Sequence, residues 1–193
     1  KCLRKLIVDM GLPGLMIPEE YGGSGLGVLE ASLVAEQLGS YAVPSPWIGN
    51  SIMAPTAILF DRENNLAEKW LPLIASGEIT ACVSLSEVVG KRSDLGLVLD
   101  GTNVSGVSIF GIDGELNPTI IITAVDDNLI LVETDNNGVE INEIPTIDTT
   151  RPVVEIIFDS DSEESISITT GTVISPNKYP YSKFVIPNPK GTR

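Results

Sequence analysis

The stretch LAEKWLPLIASGEITACVSL, from Leu66 to Leu85, contains the point where the apolar pattern changes from helical to extended. Its first half repeats apolar residues at the three- and four-residue spacing of one helix face, and Gly77 is suited to end that helix. Its second half, Thr80–Leu85, is a short apolar run typical of a buried strand. We therefore expect helices before this stretch and strands after it. The predicted helix face consists of Leu66, Trp70, Leu73 and Ile74.

Three further helices are predicted toward the N terminus. Lys1–Met10 and Asn50–Phe60 have helical patterns, and between them Leu26, Leu29, Leu33, Val34 and Leu38 recur at helical spacing before Gly39, a natural stop. The connection from Leu12 to Gly27 is rich in proline and glycine, which predicts a loop.

Beyond Gly77 the apolar runs are short, β-branched and separated by turn residues such as Asn136-Asn137-Gly138. No helical pattern intervenes, which favours an antiparallel β-barrel or sandwich. The predicted fold class is therefore α+β, with a helical domain first and a β domain second. The predicted strands are Thr80–Leu85, Asn103–Phe110, Thr119–Val125, Asn128–Thr134, Val139–Ile144 and Val153–Phe158.

Charge divides the 193 residues at similar places. Residues 1–78 have 9 acids and 5 bases, residues 79–171 have 17 acids and 3 bases, and residues 172–193 have 4 bases and no acid. The net charges of −4, −14 and +4 sum to the chain's −14. We predict a helical domain over 1–78, a β domain over 79–171 and a separate tail over 172–193.

The tail, TVISPNKYPYSKFVIPNPKGTR, matches neither pattern. A linker, an ordered arm, and sequence beyond a frameshift or truncation are all compatible with it. The abrupt end of the acidic bias favours the last of these.

Composition excludes several function classes. The chain has no histidine, so Ser-His-Asp hydrolases, Cys-His proteases and His-ligated zinc enzymes are ruled out. Its acidity disfavours nucleic-acid and membrane-surface partners, and no apolar run approaches the ~20 residues of a membrane helix. Cys2 and Cys82 are too few for a disulfide scaffold, which favours the cytoplasm. Acidic turns such as Asp126-Asp127 lack calcium-binding spacing, so no metal site is predicted.

A resemblance to the acyl-CoA dehydrogenase family begins at Gly11–Leu26, GLPGLMIPEEYGGSGL, which is similar to that family's G-x-x-x-P-E-x-Y-G-G-x-G loop. Trp70–Gly77 resembles its W-L-P-x-(L/I)-x-x-G helix, and Cys82–Glu87 resembles the first strand of its central β domain. Asp148–Arg151 and the following strand resemble its D-x-T-R region. The resemblance covers roughly residues 1–171, in the family's order.

The resemblance implies α,β-dehydrogenation of an acyl-CoA in fatty acid metabolism, with FAD as cofactor and an electron-transfer flavoprotein or similar acceptor. It also implies a homo- or hetero-oligomer. In the family a C-terminal helical bundle supplies the catalytic glutamate, and no counterpart of that bundle is recognised here. We therefore assign no catalytic residue and expect a fragment that is inactive alone.

The resemblance also assigns cofactor-binding positions after the first strand. Leu85 and Ser86 match an apolar residue and a threonine that bonds the flavin ring, and serine keeps a hydroxyl. Ser93 matches the serine of a G-S-D loop near the flavin pyrophosphate, although Arg92 replaces its glycine. Ser86 as an ordinary turn serine, and Lys91 and Arg92 as a solvated pair, are the alternatives.

Phe110-Gly-Ile-Asp-Gly114 matches the family's W-I-T-N-G by position. In the family the tryptophan covers the flavin and the threonine bonds flavin N5. Phe110 keeps a ring, but Ile112 has no side-chain donor, so its backbone N–H would have to replace that bond. Phe110 as a plain core residue is the alternative, and Arg151 is expected to pair with a nearby acid.

A second function class remains open. The departures at the flavin loop are also compatible with a non-catalytic relative, a binding or assembly subunit that keeps the helical and β domains.

Overall fold

The structure is a computed structural model. It describes residues 2–60, 66–84, 96–101, 103–114, 117–125, 128–134, 138–148, 150–159 and 168–172. The predicted tail, apart from Thr172, lies outside these residues.

The N-terminal part is helical, as predicted. The α-helices are α1 (Cys2–Asp9), α2 (Val28–Ser40), α3 (Ala54–Phe60) and α4 (Leu66–Ala75). Between α1 and α2 the chain forms a loop with two short 3₁₀ turns, Leu12–Gly14 and Glu19–Tyr21.

Two details of the helices differ from the predictions. Helix α2 does not stop at Gly39 but continues to Ser40. The helix predicted from Asn50 begins earlier, as a π-helix over Trp47–Met53 that runs directly into α3. Pi-helical turns are rare and are frequent at functional sites, which directs attention to this segment.

In the second part, the described residues form a β-sheet of eight strands. Strand order along the sheet is β6-β7-β3-β1-β4-β5-β8, and β2 also pairs with β3. The strands are β1 (Ala81–Ser84), β2 (Gly96–Asp100), β3 (Asn103–Ile112), β4 (Ile120–Val125), β5 (Asn128–Glu133), β6 (Val139–Ile144), β7 (Val153–Phe158) and β8 (Ile168–Thr172).

The predicted α+β class is confirmed, and the six predicted strands are present within two residues of their expected ends. The expectation of a wholly antiparallel sheet is wrong at one place, because β1 and β4 pair in parallel. Strands β2 and β8 were not predicted.

The sheet is buried on both faces. One face packs against the helices, where Trp70, Leu71 and Ile74 of α4 form a core with Val83 and Ile122. The apolar face of α4 thus packs against the start of the β part. The other face encloses a second core that joins residues of non-neighbouring strands, so the sheet closes over itself as a sandwich does. That core contains Cys82, Leu97, Val104, Ile121, Val125, Ile130, Val132, Val154, Ile156 and Phe158.

Candidate functional site

The C-terminal end of β3 departs from regular strand geometry. Ser108 pairs with Ile156 and Gly111 with Val154, so β3 uses one residue more than β7 over this interval. That extra residue is the signature of a β-bulge, a feature over-represented beside active sites.

Phe110 lies in this bulge. Its backbone is left-handed, with φ of 61°, and its side chain is exposed. A bulky residue in this conformation costs of order 1–3 kcal/mol, so its surroundings must hold it there. The alternative of Phe110 as a plain core residue is not supported.

Strand β1 ends beside this bulge. Its last residue, Ser84, pairs with Gly111, and the buried hydroxyls of Ser84 and Ser108 are hydrogen-bonded. The next residues along the chain are Leu85 and Ser86. These two residues and Ser93 lie outside the described part of the structure, and so do Lys91 and Arg92. Their roles stay predictions.

Ile112 lies between two strands. It pairs with Val83 of β1 and with Val153 of β7, and it is half-buried. The backbone polar groups of a strand residue lie in the plane of the sheet, toward its neighbours. This position therefore does not favour the backbone N–H contact to a flavin that the sequence suggested.

Asp113 joins the end of β3 to the π-helix. One carboxylate oxygen, Oδ2, accepts hydrogen bonds from the backbone N–H of Gly49 at 2.7 Å and of Asn50 at 3.0 Å. All three residues are buried. Asp113 is also left-handed, with φ of 64°, a conformation that Asp tolerates better than most residues.

Gly49 and Asn50 make this approach possible. A Cβ on Gly49 would lie 2.6 Å from the carbonyl oxygen of Ile112 and 2.9 Å from Oδ2 of Asp113, so only glycine fits. The Asn50 side chain accepts the backbone N–H of Ala81 at 2.8 Å, which ties the same helix to β1. The π-helix is thus hydrogen-bonded to both strands that flank the candidate site.

Two opposing effects act on the charge of Asp113. Burial raises its pKa above the usual value, while the N–H groups of Asn50 and Gly49, and more distantly Arg151, lower it. Burial is the larger effect, so the pKa lies above that of an ordinary aspartate.

Arg151 does not behave as predicted. Its side chain is exposed and makes no ion pair with an acid of the described residues. Nearby, the Thr150 hydroxyl and N–H both bond Asp148 and lower its pKa, with a smaller contribution from Arg151.

The described residues fit a flavin only in part. Phe110 fits, because an exposed aromatic ring held in a fixed conformation suits the face of a second ring. The side chain of Ile112 does not fit a polar flavin edge. The site is therefore suited to covering the face of a planar group. It offers no side-chain hydrogen-bond donor at Ile112.

The sequence did not predict that Gly49 and Asn50 are the hydrogen-bond partners of Asp113. Backbone N–H donors leave no mark in a sequence, and 63 and 64 residues separate the partners. The signal in the sequence was Asp113 itself, an acidic residue at the position where the family's W-I-T-N-G motif has asparagine.

Over the described ranges, no helix is long and apolar enough to cross a membrane. In the same ranges no three potential metal-ligating side chains, of the types His, Cys, Asp and Glu, come together.

Comparisons with known proteins agree with this architecture. Residues 1–78 match the family model described as acyl-CoA dehydrogenase, N-terminal domain. Mitochondrial isovaleryl-CoA dehydrogenase of Bos taurus is 35% identical over 85 residues, which are 43% of this chain and 20% of that protein. The acyl-CoA dehydrogenase IpdE2 of Mycolicibacterium smegmatis is 30% identical over 122 residues, 62% of this chain and 37% of that protein.

A solved glutaryl-coenzyme A dehydrogenase in complex with glutaryl-CoA has the same fold. It superposes with a TM-score of 0.71 at 18% identity, over 91% of this chain and 49% of that one. The helical part and the β part of this chain thus have the fold of a solved acyl-CoA dehydrogenase. Over residues 1–78 the chain matches the N-terminal domain of the acyl-CoA dehydrogenase family, and a solved dehydrogenase of this kind shares its fold.

The chain matches only part of each of these proteins. The matched region is about a fifth of the first curated relatives (20%) and about half of the solved glutaryl-coenzyme A dehydrogenase (49%).

Proposed function

We propose that this chain supplies the N-terminal helical part and the central β part of an FAD-dependent acyl-CoA dehydrogenase. The reaction is α,β-dehydrogenation of an acyl-CoA thioester, in which FAD, when bound, accepts a hydride from the β-carbon. In this proposal Phe110 lies against the flavin, and Leu85, Ser86 and Ser93 complete the cofactor contacts of this chain.

The conformation of Phe110 is the observation that supports the proposal most. A left-handed, exposed phenylalanine is unfavourable both for its backbone and for its ring. A planar cofactor packed on the ring would remove the second cost. The position is also the one at which the resembled family has its flavin-covering tryptophan.

We further propose that the 193 residues alone do not turn over acyl-CoA and that they hold FAD weakly. The resemblance assigns the proton-abstracting glutamate to a bundle outside the region that aligns here. Loss of a general base typically costs about 10²–10⁴-fold in rate. An electron-transfer flavoprotein or similar acceptor, a homo- or hetero-oligomeric assembly and a cytoplasmic location remain part of this proposal.

The second candidate is a non-catalytic binding or assembly subunit. Ile112 favours it, because a half-buried isoleucine replaces the hydroxyl that bonds flavin N5 in the resembled family. A solved complex named ChsE4-ChsE5, from Mycobacterium tuberculosis, shares the fold with a TM-score of 0.70 at 20% identity, over 88% of this chain and 47% of that one.

Two measurements test the proposal. Gel filtration after incubation with excess FAD is expected to strip the flavin from the protein, whereas a yellow protein that keeps stoichiometric flavin would contradict weak binding. Assays of several acyl-CoA thioesters with an artificial electron acceptor are expected to show no turnover. Measurable dehydrogenation of any of them would contradict the proposed inactivity of the chain alone.

A further inference from the structure

The first N–H groups of the π-helix need acceptors from elsewhere in the chain. The first residues of any helix have no intrahelical acceptor for their N–H groups. The preceding residue, Pro46, provides no side-chain cap. The N–H groups of Gly49 and Asn50 instead donate to the carboxylate of Asp113, which follows β3 and lies more than 60 residues away in sequence.

The same carboxylate fixes one end of an irregular segment. Phe110 departs from the ladder at the bulge, and Asp113 follows the last residue of β3. On the N-terminal side of the bulge, Ser108 is held by its pairing with Ile156 and by the hydroxyl of Ser84. On the C-terminal side, the hydrogen bonds of Asp113 to the π-helix provide the corresponding anchor.

We propose that Asp113 is a positioning residue, which fixes the segment from Phe110 to Ile112 against the π-helix and so sets the placement of the Phe110 ring. This inference rests on the proposed function in one respect: contact with a flavin is the reason why the Phe110 ring must be placed. It assigns to Asp113 no contact with substrate or cofactor.

The surroundings of Asp113 make hydrogen bonding, and not ion pairing, the basis of this role. The π-helix has no titratable residue, β1 has only Cys82, and β7 has only Glu155. Arg151, just before β7, acts on Asp113 through its charge but forms no ion pair with it. Asparagine has an oxygen acceptor of the same shape without the charge, so Asp113→Asn should keep the anchor and Asp113→Ala should remove it.

The test compares these two variants by amide hydrogen exchange and backbone chemical shifts in the protein. Asp113→Ala is expected to accelerate exchange at Gly49 and Asn50 by about tenfold or more and to shift the amide resonances of Phe110 and Ile112. Asp113→Asn is expected to restore both readouts. Exchange at Ile130, in the β4–β5 ladder, reports that the fold is intact, and Asp100→Asn, at the exposed end of β2, is the matched control for loss of a charge.

Unchanged amide signals in Asp113→Ala would overturn the proposal, and so would an Asp113→Asn variant as defective as Asp113→Ala. An FAD titration separates this inference from the proposed function. If the wild-type protein binds FAD, Asp113→Ala should weaken binding by up to about fivefold, no more than loss of the Phe110 ring, and Asp113→Asn should restore it. If the wild type binds no FAD, the proposed function fails, while the signals of Phe110 and Ile112 still decide whether Asp113 positions them.

Discussion

At the scale of single residues, the candidate site depends on one close backbone approach. Gly49 lies against the carbonyl of Ile112, and this proximity lets its N–H reach Asp113. The contact needs glycine because of space, since the backbone of Gly49 is not left-handed.

Gly49→Ala is therefore expected to destabilise the protein by about 1–3 kcal/mol, the usual cost of forcing atoms into a packed interior. Gly39→Ala, in α2, is the control, because its added Cβ meets nothing within 4 Å. Alanine in that helix should instead stabilise by about 0.5–1 kcal/mol. Urea denaturation measures both, and equal effects of the two variants would contradict the close approach.

The buried charge of Asp113 predicts a pH dependence. Because its folded-state pKa is raised, the folded chain binds more protons than the unfolded chain above the usual pKa of 3.8. The contribution of Asp113 to the free energy of unfolding therefore falls as the pH rises through that window, up to the raised pKa. Asp113→Asn removes this loss, so its stability relative to wild type should increase as the pH rises above about 3.8.

Urea denaturation of both proteins across this pH range checks the sign. Asp100→Asn, at an exposed position, is the control for removing a charge. A relative gain for Asp113→Asn that increases toward acid pH would show that the pKa is lowered instead.

At the scale of elements, α4 connects the two parts of the chain. Leu71 of α4 is completely buried in the core between the helices and the sheet. Leu71→Ala should cost about 2–5 kcal/mol, through lost burial and the cavity it leaves. Leu33→Ala, on the exposed face of α2, should change stability by no more than about 0.5 kcal/mol. Similar losses in the two variants would contradict the assigned packing of α4.

Most of these elements were predictable because their apolar spacing is regular. Val139–Ile144 and Val153–Phe158 have the predicted bounds, and each is a β-branched run beside turn residues. Strand β8, ITTGT, has one large apolar residue and a glycine, so its pattern is weak. The direction of β1 relative to β4 was not predictable, because a buried four-residue strand has no alternation that specifies its partner.

The candidate site was only partly predictable, and for a different reason. The position of Phe110 followed from a motif, whereas its bulge depends on how β3 pairs with β7. The anchor of Asp113 depends on a helix that is distant in sequence. Tertiary contacts of this kind are not encoded in local spacing.

At the scale of the whole molecule, exposed apolar side chains and the net charge have opposite effects on self-association. The resemblance predicts that Leu29, Leu33 and Leu38 of α2 are exposed where the family's C-terminal bundle would cover them. Leu29 and Leu33 are 68% and 56% exposed, but Leu38 is half-buried against the cluster around Leu15 and Trp47, so that part of the prediction is wrong. A surface of this kind favours association, and the chain's net charge of −14 opposes it.

Salt screens that repulsion over about 8–10 Å, so self-association should increase with ionic strength. Light scattering at low and high salt measures this directly. Replacing Leu29 and Leu33 with serine should suppress the increase, and Val98→Ser, at an exposed position of β2, is the matched control. A strictly monomeric wild-type protein with a cooperative melt at both salt concentrations would contradict the expectation and favour the non-catalytic relative.

The central claim is that Phe110 forms part of a flavin site, and an FAD titration followed by flavin fluorescence tests it most directly. Phe60→Ala is the matched control, because Phe60 is an exposed phenylalanine on α3, outside the candidate site. We predict that wild type and Phe60→Ala bind FAD with equal, weak affinity. Phe110→Ala should bind about fivefold more weakly, the loss expected from one aromatic stacking contact. Equal FAD affinity in Phe110→Ala and wild type, or no binding by any of the three proteins, would contradict the claim.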